Sequence, residues 1–256
     1  MSRTRRIAFQ QVDVFTAVPF KGNPVAVVLE GEGLRIFTPR AEIPFAGHPT
    51  IGSAHAVLHH GRAPRQAGRL VQECGKGLVD LRVDGERLFL ELPSPAFREP
   101  TAAERAQAAA AIGLTAAEIL NAAIIDVGPV WFTLQLRDGG AVAKLEPDMA
   151  AIAALSRDAV TGLTVFGFYG EGGPADLEVR SFAPAHGVPE DPVCGSGNGC
   201  VAAFIQREQL LGRSSYVSSQ GRCMQRDGRV EVRFADDGRI WLGGHAVTCV
   251  EGALIV

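Results

Sequence analysis

One local pattern occurs twice in this 256-residue chain, and the repetition limits the folds that the sequence can adopt. Arg35-Ile-Phe-Thr-Pro39 is echoed 145 residues later by Arg180-Ser-Phe-Ala-Pro184. Glu42-Ile-Pro-Phe-Ala-Gly-His48 aligns without a gap with Glu190-Asp-Pro-Val-Cys-Gly-Ser196, at an offset of 148. Chance matching of Gly, Pro and Phe is the alternative. The constant order of the matches favours two copies of one supersecondary unit that face each other across a cleft.

The two copies differ in length upstream of these matches. Pro24-Val-Ala-Val-Val-Leu29 resembles Pro129-Val-Trp-Phe-Thr-Leu134. From Pro129 to Arg180 there are 51 residues, but from Pro24 to Arg35 only 11. The first copy therefore lacks about one helix and one strand, and only Glu30-Gly-Glu-Gly33 stands in their place. We predict a first repeat over 1–100, a helical linker over 101–120, and a second repeat over 121–256 whose C-terminal strand can cross to the first.

Short apolar segments bounded by Gly, Pro and Asp turns predict many strands and fewer helices. Thr101 opens a capping box with Glu104, which predicts a helix start. The predicted strands are Ile7–Phe15, Val25–Leu29, Leu34–Phe37, Leu78–Val83, Arg87–Leu92, Val130–Leu136, Leu163–Tyr169, Leu177–Phe182, Val230–Phe234 and Ile240–Leu242. The predicted helices are Pro49–His60, Thr101–Ile112, Thr115–Leu120, Pro147–Leu155 and Gly197–Leu211. Many strands with few helices indicate an α+β fold.

Charge and composition exclude several classes of function. The net charge is −3, from 25 basic and 28 acidic residues, so nothing favours nucleic acid or an anionic membrane as partner. No apolar run approaches the roughly 18–20 residues of a membrane span. The basic start lacks the apolar stretch of a secretory signal. Five scattered cysteines, an odd number, indicate reduced thiols in the cytoplasm.

Each copy places a glycine turn at the start of a predicted helix, as Gly47-His48-Pro49 and as Gly195-Ser196-Gly197. The first backbone N–H groups of a helix lack intrahelical partners and carry partial positive charge, so they can bind a carboxylate or phosphate. Proline suits the first helical turn, where its missing N–H costs nothing. Ordinary Gly/Pro caps are the alternative. Duplication at equivalent positions favours a site for a small carboxylate between the two copies.

Side chains at these turns can move protons. His48 ordinarily titrates near neutrality, although a lone histidine is more often a surface or capping residue. Asp191 can accept or orient a proton, or simply form an Asp-Pro turn. Ser196 is a helix cap, a ligand donor, or both. Cys194 lies close to a helix N-terminus, which lowers a thiol pKa, but a buried inert cysteine is the common alternative.

Other motifs are weaker. Gly195-Ser-Gly-Asn-Gly199 lacks the Gly-x-Gly-x-x-Gly spacing of a dinucleotide loop, and the prolines before it argue against a preceding central strand. No Gly-Lys-Ser/Thr phosphate loop occurs. His55 and His59 lack the intervening Glu of a His-Glu-x-x-His motif. Cys194 and Cys200 do not share a helical face, so we predict no metal site.

Taken together, these motifs resemble the PhzF (phenazine biosynthesis-like) family over nearly the whole chain. The segments that carry the resemblance are Gln11-Val-Asp-Val-Phe-Thr16, Gly22-Asn-Pro-Val-Ala-Val-Val28, Arg35-Ile-Phe-Thr-Pro39, Phe45-Ala-Gly-His-Pro49, Arg180-Ser-Phe-Ala-Pro184, Glu190-Asp-Pro-Val-Cys-Gly-Ser196 and Gly243-Gly-His-Ala246. The resemblance implies a diaminopimelate-epimerase-like fold, in which each of two similar halves is a curved, mostly antiparallel, barrel-like sheet around a central helix. It also implies a cofactor-free homodimer with the active site between the halves.

The resemblance assigns roles to individual residues. His48 matches the family's active-site histidine, and Asp191 its aspartate. Gly195 and Ser196 match the turn whose amides and hydroxyl hold the substrate. Cys194 occupies the place of a catalytic cysteine in epimerase relatives, whose first-half cysteine corresponds to Ala46 here. The expected catalytic residues are therefore His48, Asp191 and Cys194, with Gly47, Gly195, Ser196 and Gly197 at the substrate.

One departure from the family pattern affects the expected function. The family's catalytic Glu lies in a Ser-Glu-Thr motif within the segment that this chain lacks, and Glu30, Glu32 and Glu42 are not in that motif. The main hypothesis is a PhzF-like isomerase or epimerase that moves a proton on a small carboxylate. The alternative is a non-catalytic carboxylate-binding or interaction protein that lost its chemistry with the segment, and a third is a structural homodimer with a vestigial cleft.

Overall fold

The computed structural model describes residues 4–30, 33–38, 41–156 and 159–256. The chain divides into two compact units, one of Met1–Glu91 with Gly243–Val256 and one of Leu92–Leu242. Strands outnumber helices, and parallel and antiparallel pairs both occur, so the predicted α+β class is confirmed. None of the described helices combines the length and the apolar composition that a membrane crossing needs.

The first unit packs one helix on a sheet. Its elements are β1 (Arg6–Val14), β2 (Asn23–Val28), β3 (Ile36–Phe37), β4 (Glu42–Ile43), α1 (Gly47–His59), β5 (Arg69–Cys74), β6 (Gly77–Asp84), β7 (Arg87–Glu91) and most of β16 (Ile240–Ile255). The strand order is β5-β6-β7-β16-β1-β2, and β3 pairs with β4. Helix α1 lies close to β2 because Gly52 has no side chain. A Cβ there would lie 2.4 Å from the Val25 side chain.

The second unit carries helices on both faces of its sheet. Its elements are β8 (Ala96–Arg98), α2 (Ala102–Ala110), β9 (Asn121–Asp126), β10 (Val130–Gln135), α3 (Gly139–Ala143), α4 (Met149–Leu155), β11 (Val160–Phe168), β12 (Leu177–Ala183), β13 (Val188–Asp191), α5 (Gly195–Arg207), β14 (Ser215–Gln220), β15 (Gly228–Phe234) and the start of β16. The order is β16-β15-β14-β12-β11-β10-β9-β8, with β13 beside β12. Thr101 caps α2 through the predicted capping box with Glu104.

The core of the second unit lies against strands β9 to β12. Small and aliphatic residues of α2, α3 and α4 pack there around Leu134, Leu163 and Phe182. Phe204 of α5 meets Phe166 of β11 edge to face, with ring centroids 5.6 Å apart. Strand β11 is therefore central: it pairs in parallel with β10 and antiparallel with β12, and nearly all of its residues are buried.

Neither sheet closes into a barrel within the described residues. In the first unit β2 pairs only with β1, because the described residues between β2 and β3 contain no further regular strand. The gap predicted between Leu29 and Leu34 falls here, although Gly31 and Glu32 lie outside the described residues. Among its described residues, the first unit therefore has no strand in the position that β11 takes between β10 and β12.

The two Arg-x-Phe strands form the same ion pair in different surroundings. Arg180 binds Glu190 through two hydrogen bonds of 2.9 Å, and Arg35 binds Glu42 through bonds of 2.9 and 2.8 Å. The Arg180 and Glu190 side chains are 6% and 11% exposed, whereas those of Arg35 and Glu42 are 69% and 46% exposed. Arg180 also donates to carbonyls at the end of α3, and no helix covers Arg35 in the described part of the first unit.

This difference predicts unequal effects of one substitution at equivalent sites. Arg180→Ala leaves the Glu190 carboxylate buried without its partner, which should lower the free energy of unfolding by about 3–5 kcal/mol. Arg35→Ala removes an exposed pair and should leave that free energy close to the wild-type value. Urea unfolding followed by circular dichroism measures both. Equal losses in the two variants would contradict the burial argument.

Candidate functional site

The start of α5 is built around Cys194, which is the N-cap residue of the helix. Its Sγ accepts a hydrogen bond from the Gly197 N–H at 3.2 Å. Ser196, for which the sequence predicts a helix cap or a ligand donor, is the second residue of the helix and does not take the capping role. Gly197 must be glycine, because a Cβ there would lie 2.4 Å from the Ser181 hydroxyl and 2.8 Å from that of Thr164.

Both helix starts leave two backbone donors unused. The N–H groups of Gly47 and His48 in α1, and those of Gly195 and Ser196 in α5, have no hydrogen-bond partner in the described chain. Pro49 is the third residue of α1, where its missing N–H costs nothing, as predicted. Each start therefore presents a pair of amides with the partial positive charge of a helix N-terminus, a suitable environment for a carboxylate.

Asp191 ends β13 and lies directly before this helix start. Its Oδ1 accepts the Val193 N–H at 3.0 Å, and its carboxylate also interacts with the Cys194 side chain. Burial raises the pKa of Asp191 to about 6, and this effect outweighs the hydrogen bonds that favour the ionised form. A carboxyl group that titrates this close to neutrality is suited to general acid–base chemistry.

Of the two alternatives predicted for Cys194, a thiol of lowered pKa and a buried cysteine, the structure favours the second. Burial and the neighbouring charge of Asp191 raise the pKa of the thiol far above its ordinary value, despite the hydrogen bonds from Gly197 and Ser196. Helix-end stabilisation of a thiolate operates only where water or other donors can complete its solvation. At neutral pH, Cys194 is therefore a protonated thiol that can donate a proton but does not act as a free thiolate.

His48 also departs from the expected titration. It is the second residue of α1 and only partly exposed, and burial lowers its pKa to about 4. Its imidazole is thus neutral at neutral pH, with one ring nitrogen as donor and the other as acceptor. Ala46, the residue aligned with Cys194, occupies the N-cap of α1 and offers no side-chain cap.

Two residues that sequence reasoning missed hold this site in place. Trp131 of β10 donates its indole N–H to Ser196 Oγ at 3.0 Å. Because an indole only donates, the Ser196 proton must point elsewhere, either to Cys194 Sγ at 3.6 Å or to a ligand. Gln220, at the end of the unpredicted strand β14, accepts from the Cys194 N–H and donates to the Asp191 carbonyl. Neither contact could be predicted from local sequence, because Trp131 and Gln220 are 65 and 26 residues away from their partners Ser196 and Cys194.

The structure thus brings Asp191, Cys194, Gly195, Ser196 and Gly197 together in the second unit, while Gly47 and His48 form the start of α1 in the first. The Gly197 N–H is already bonded to Cys194, so Gly195 and Ser196 supply the available amides. No group of three or more His, Cys, Asp or Glu side chains suited to a metal ion occurs among the described residues.

Sequence comparison finds a family model and individual relatives that match this chain. A family model described as phenazine biosynthesis-like protein (PhzC-PhzF) matches residues 32–252. Antisense-enhancing sequence 1 of Schizosaccharomyces pombe is 33% identical over an alignment of 291 residues that covers 96% of this chain and 97% of the relative. The uncharacterized isomerase YddE of Escherichia coli O157:H7 is 30% identical, with coverages of 86% and 88%. The alignment with the yeast relative is 291 positions long and this chain has 256 residues. At least 35 residues of the relative therefore align with gaps in this chain.

Solved structures share the fold. A Bacillus anthracis phenazine biosynthesis protein of the PhzF family superimposes with a TM-score of 0.84 at 20% identity, covering 98% of this chain and all of the other. A hydroxyproline epimerase from Agrobacterium vitis, with trans-4-hydroxy-L-proline bound, superimposes with a TM-score of 0.64 at 12% identity, with coverages of 100% and 93%. At these identities the similarity shows the fold alone.

The raised pKa of Asp191 predicts how pH affects stability. The folded protein binds the Asp191 proton more tightly than the unfolded chain, so stability falls as pH rises from about 4 to about 7. Asp191→Asn removes that dependence. Its melting temperature relative to wild type should therefore rise across this range by several degrees. Differential scanning calorimetry measures the shift. The exposed Asp227→Asn is the matched control, and a difference that is constant with pH would contradict the shifted pKa.

Proposed function

The chain belongs to the phenazine biosynthesis-like PhzC-PhzF family, and from that premise we propose that it is an isomerase or epimerase that moves a proton on a small carboxylate. The observation that carries the proposal is the Asp191 carboxyl group. It has a pKa of about 6, and it directly precedes a helix start with two unused backbone amides. Relatives named as isomerases, and a structural relative that binds hydroxyproline, support the class of reaction and of substrate.

In this proposal the amides of Gly195 and Ser196 hold the substrate carboxylate. The ionised Asp191 removes a proton from the neighbouring carbon, and the electron pair of the broken C–H bond moves toward the carboxylate. Helix amides favour the negative charge that develops there. A proton returned to another position or to the other face of the same carbon completes an isomerisation or an epimerisation.

The returning proton has two candidate donors. The Cys194 thiol stays protonated at neutral pH and interacts with Asp191, so it can donate within the second unit. The neutral imidazole of His48 can act from the start of α1, together with the Gly47 and His48 amides. The sequence repeat places Gly47-His48 and Gly195-Ser196 at equivalent positions of the two copies, which supports a ligand-binding role for each helix start.

We extend the proposal to the architecture. Helices α1 and α5 have the same length of 13 residues, and both of their bounds differ by the 148 residues of the sequence offset. This agreement supports two similar halves, each a curved sheet around its own central helix, with the first half shortened. Family resemblance further supports a homodimer that needs no cofactor.

Exchange of substrate protons with solvent tests the chemistry. Wild-type protein should exchange the α-proton of at least one member of a panel of cyclic and amino-acid carboxylates in deuterated water, followed by proton NMR. Asp191→Asn should slow the exchange by about 10²–10⁴-fold, because the acid–base group is lost. Cys194→Ser should slow it less if His48 supplies the second proton. Asp227→Asn, exposed and outside the site, should leave the rate unchanged.

Absence of exchange across the panel would contradict the isomerase proposal. The loss of the family's Glu-bearing segment favours a second candidate, a carboxylate-binding protein without turnover. That candidate predicts stabilisation against heat by the same carboxylates with no exchange in any variant. Measuring both proton exchange and thermal stabilisation with the same panel of carboxylates therefore distinguishes the two functions.

A further inference from the structure

The first unit exposes a surface whose counterpart in the second unit is buried. Arg35 lies over the Phe37 ring with its Cζ 5.0 Å from the centroid, and Arg180 lies over Phe182 at the same distance. Phe37 is 62% exposed, whereas Phe182 is fully buried. Arg35, Phe37 and Glu42 therefore form the same local arrangement as Arg180, Phe182 and Glu190, but no described helix or strand covers it.

The second unit shows what covers this arrangement. Strand β11 pairs with β12 along Leu163–Phe168. Phe182 is buried in one cluster with small and aliphatic residues of α2, α3 and α4. Arg180 donates its Nη1 to the carbonyl of Val142 in the last turn of α3 at 3.4 Å, and to that of Leu145, two residues beyond the helix, at 2.8 Å. The cover is thus a helix end that supplies carbonyls, followed along the chain by a strand that joins the sheet.

The edge of β2 is open in the matching place. Leu29 donates its N–H to the Ala8 carbonyl, which sets the register so that the N–H groups of Ala26 and Val28 point away from β1. These two amides have no partner within the described residues, and the Val28 side chain is 46% exposed. In the second unit the corresponding edge of β10 is paired with β11.

We propose that the first unit is an acceptor for a helix–strand segment of a separate polypeptide. The strand adds to β2 in parallel and runs antiparallel to β3, as β11 does with β10 and β12, and apolar side chains of the segment cover Phe37. Carbonyls at the C-terminal end of its helix accept hydrogen bonds from Arg35. The partner is therefore a polypeptide with a short helix followed by an apolar strand.

A second copy of this chain does not fit as well. Among the described residues the helix–strand combination that meets these requirements is α3 to β11, and β11 is buried and paired on both edges in its own unit. Donating it would unfold the core of the donor.

A peptide with the sequence of residues 138–168 of this chain, which spans α3 to β11, is a direct probe. Labelled with fluorescein, it should bind the full chain in an anisotropy titration, and hydrogen exchange should show protection of Ala26 and Val28. Ala26→Pro removes one outward N–H and leaves the β1 side of β2 intact, as Pro24 already does on this edge. It should weaken binding by about tenfold or more, as should Arg35→Ala.

Controls separate docking from general effects. Arg69→Ala breaks another exposed ion pair of the same unit, that with Asp80, and should leave binding unchanged. A peptide with proline at the positions of Thr164 and Phe166 cannot form the ladder and should not bind. Absence of binding at millimolar peptide, or binding that survives both Ala26→Pro and Arg35→Ala in folded protein, would overturn the proposal. A dimer that forms without peptide and dissociates in Ala26→Pro would overturn it in favour of a second copy.

Discussion

The hydrogen bonds of one buried glutamine hold the candidate site together. Gln220 accepts from the Cys194 N–H and from the Asn198 side chain, and it donates to the Asp191 carbonyl. It therefore joins β13, the start of α5 and β14. Each buried polar group left unpaired would cost about 1–3 kcal/mol, so the three bonds fix the backbone that carries Asp191 and Cys194. Gln72, 148 residues earlier, donates to the Thr50 carbonyl, and its Oε1 has no hydrogen-bond partner among the described residues, so it gives the same kind of support with fewer bonds.

This rigid support explains the protonation states of the site. Asp191 and Cys194 are held side by side where water does not solvate them well, and two negative charges there would be costly. Burial therefore raises the pKa of both groups, and the helix N-terminus does not reverse this effect for the thiol. The pair carries at most one negative charge near neutral pH, and that charge belongs to Asp191. A carboxylate base beside a protonated donor is the result.

Sequence patterns predicted the elements whose signals are local. The capping box of Thr101 and the glycine turns located α2, α1 and α5. Asp191, at the end of β13, and Ser196, in the first turn of α5, were among the candidate site residues. Strand β14 was missed because Ser218, Ser219 and Gln220 are polar yet buried, with partners far along the chain. Strand β16 runs well beyond the predicted Leu242 because it pairs with β1, more than 200 residues away. The role of Trp131 was missed because its hydrogen-bond partner, Ser196, lies 65 residues further along the chain. The roles of the site residues stay predictions.

The two Arg-x-Phe arrangements separate what local sequence determines from what the surrounding fold determines. Both guanidinium groups bind their glutamates in the same bidentate geometry and lie at the same distance over their phenylalanine rings. Local sequence is therefore sufficient for the arrangement itself. Burial depends on α3 and β11, for which the first unit has no described counterpart. β3 and β4 pair although no described helix covers them. The first unit therefore presents Arg35 and Phe37 in the same geometry as their buried counterparts, which is the surface that the proposed docking of a helix–strand segment requires.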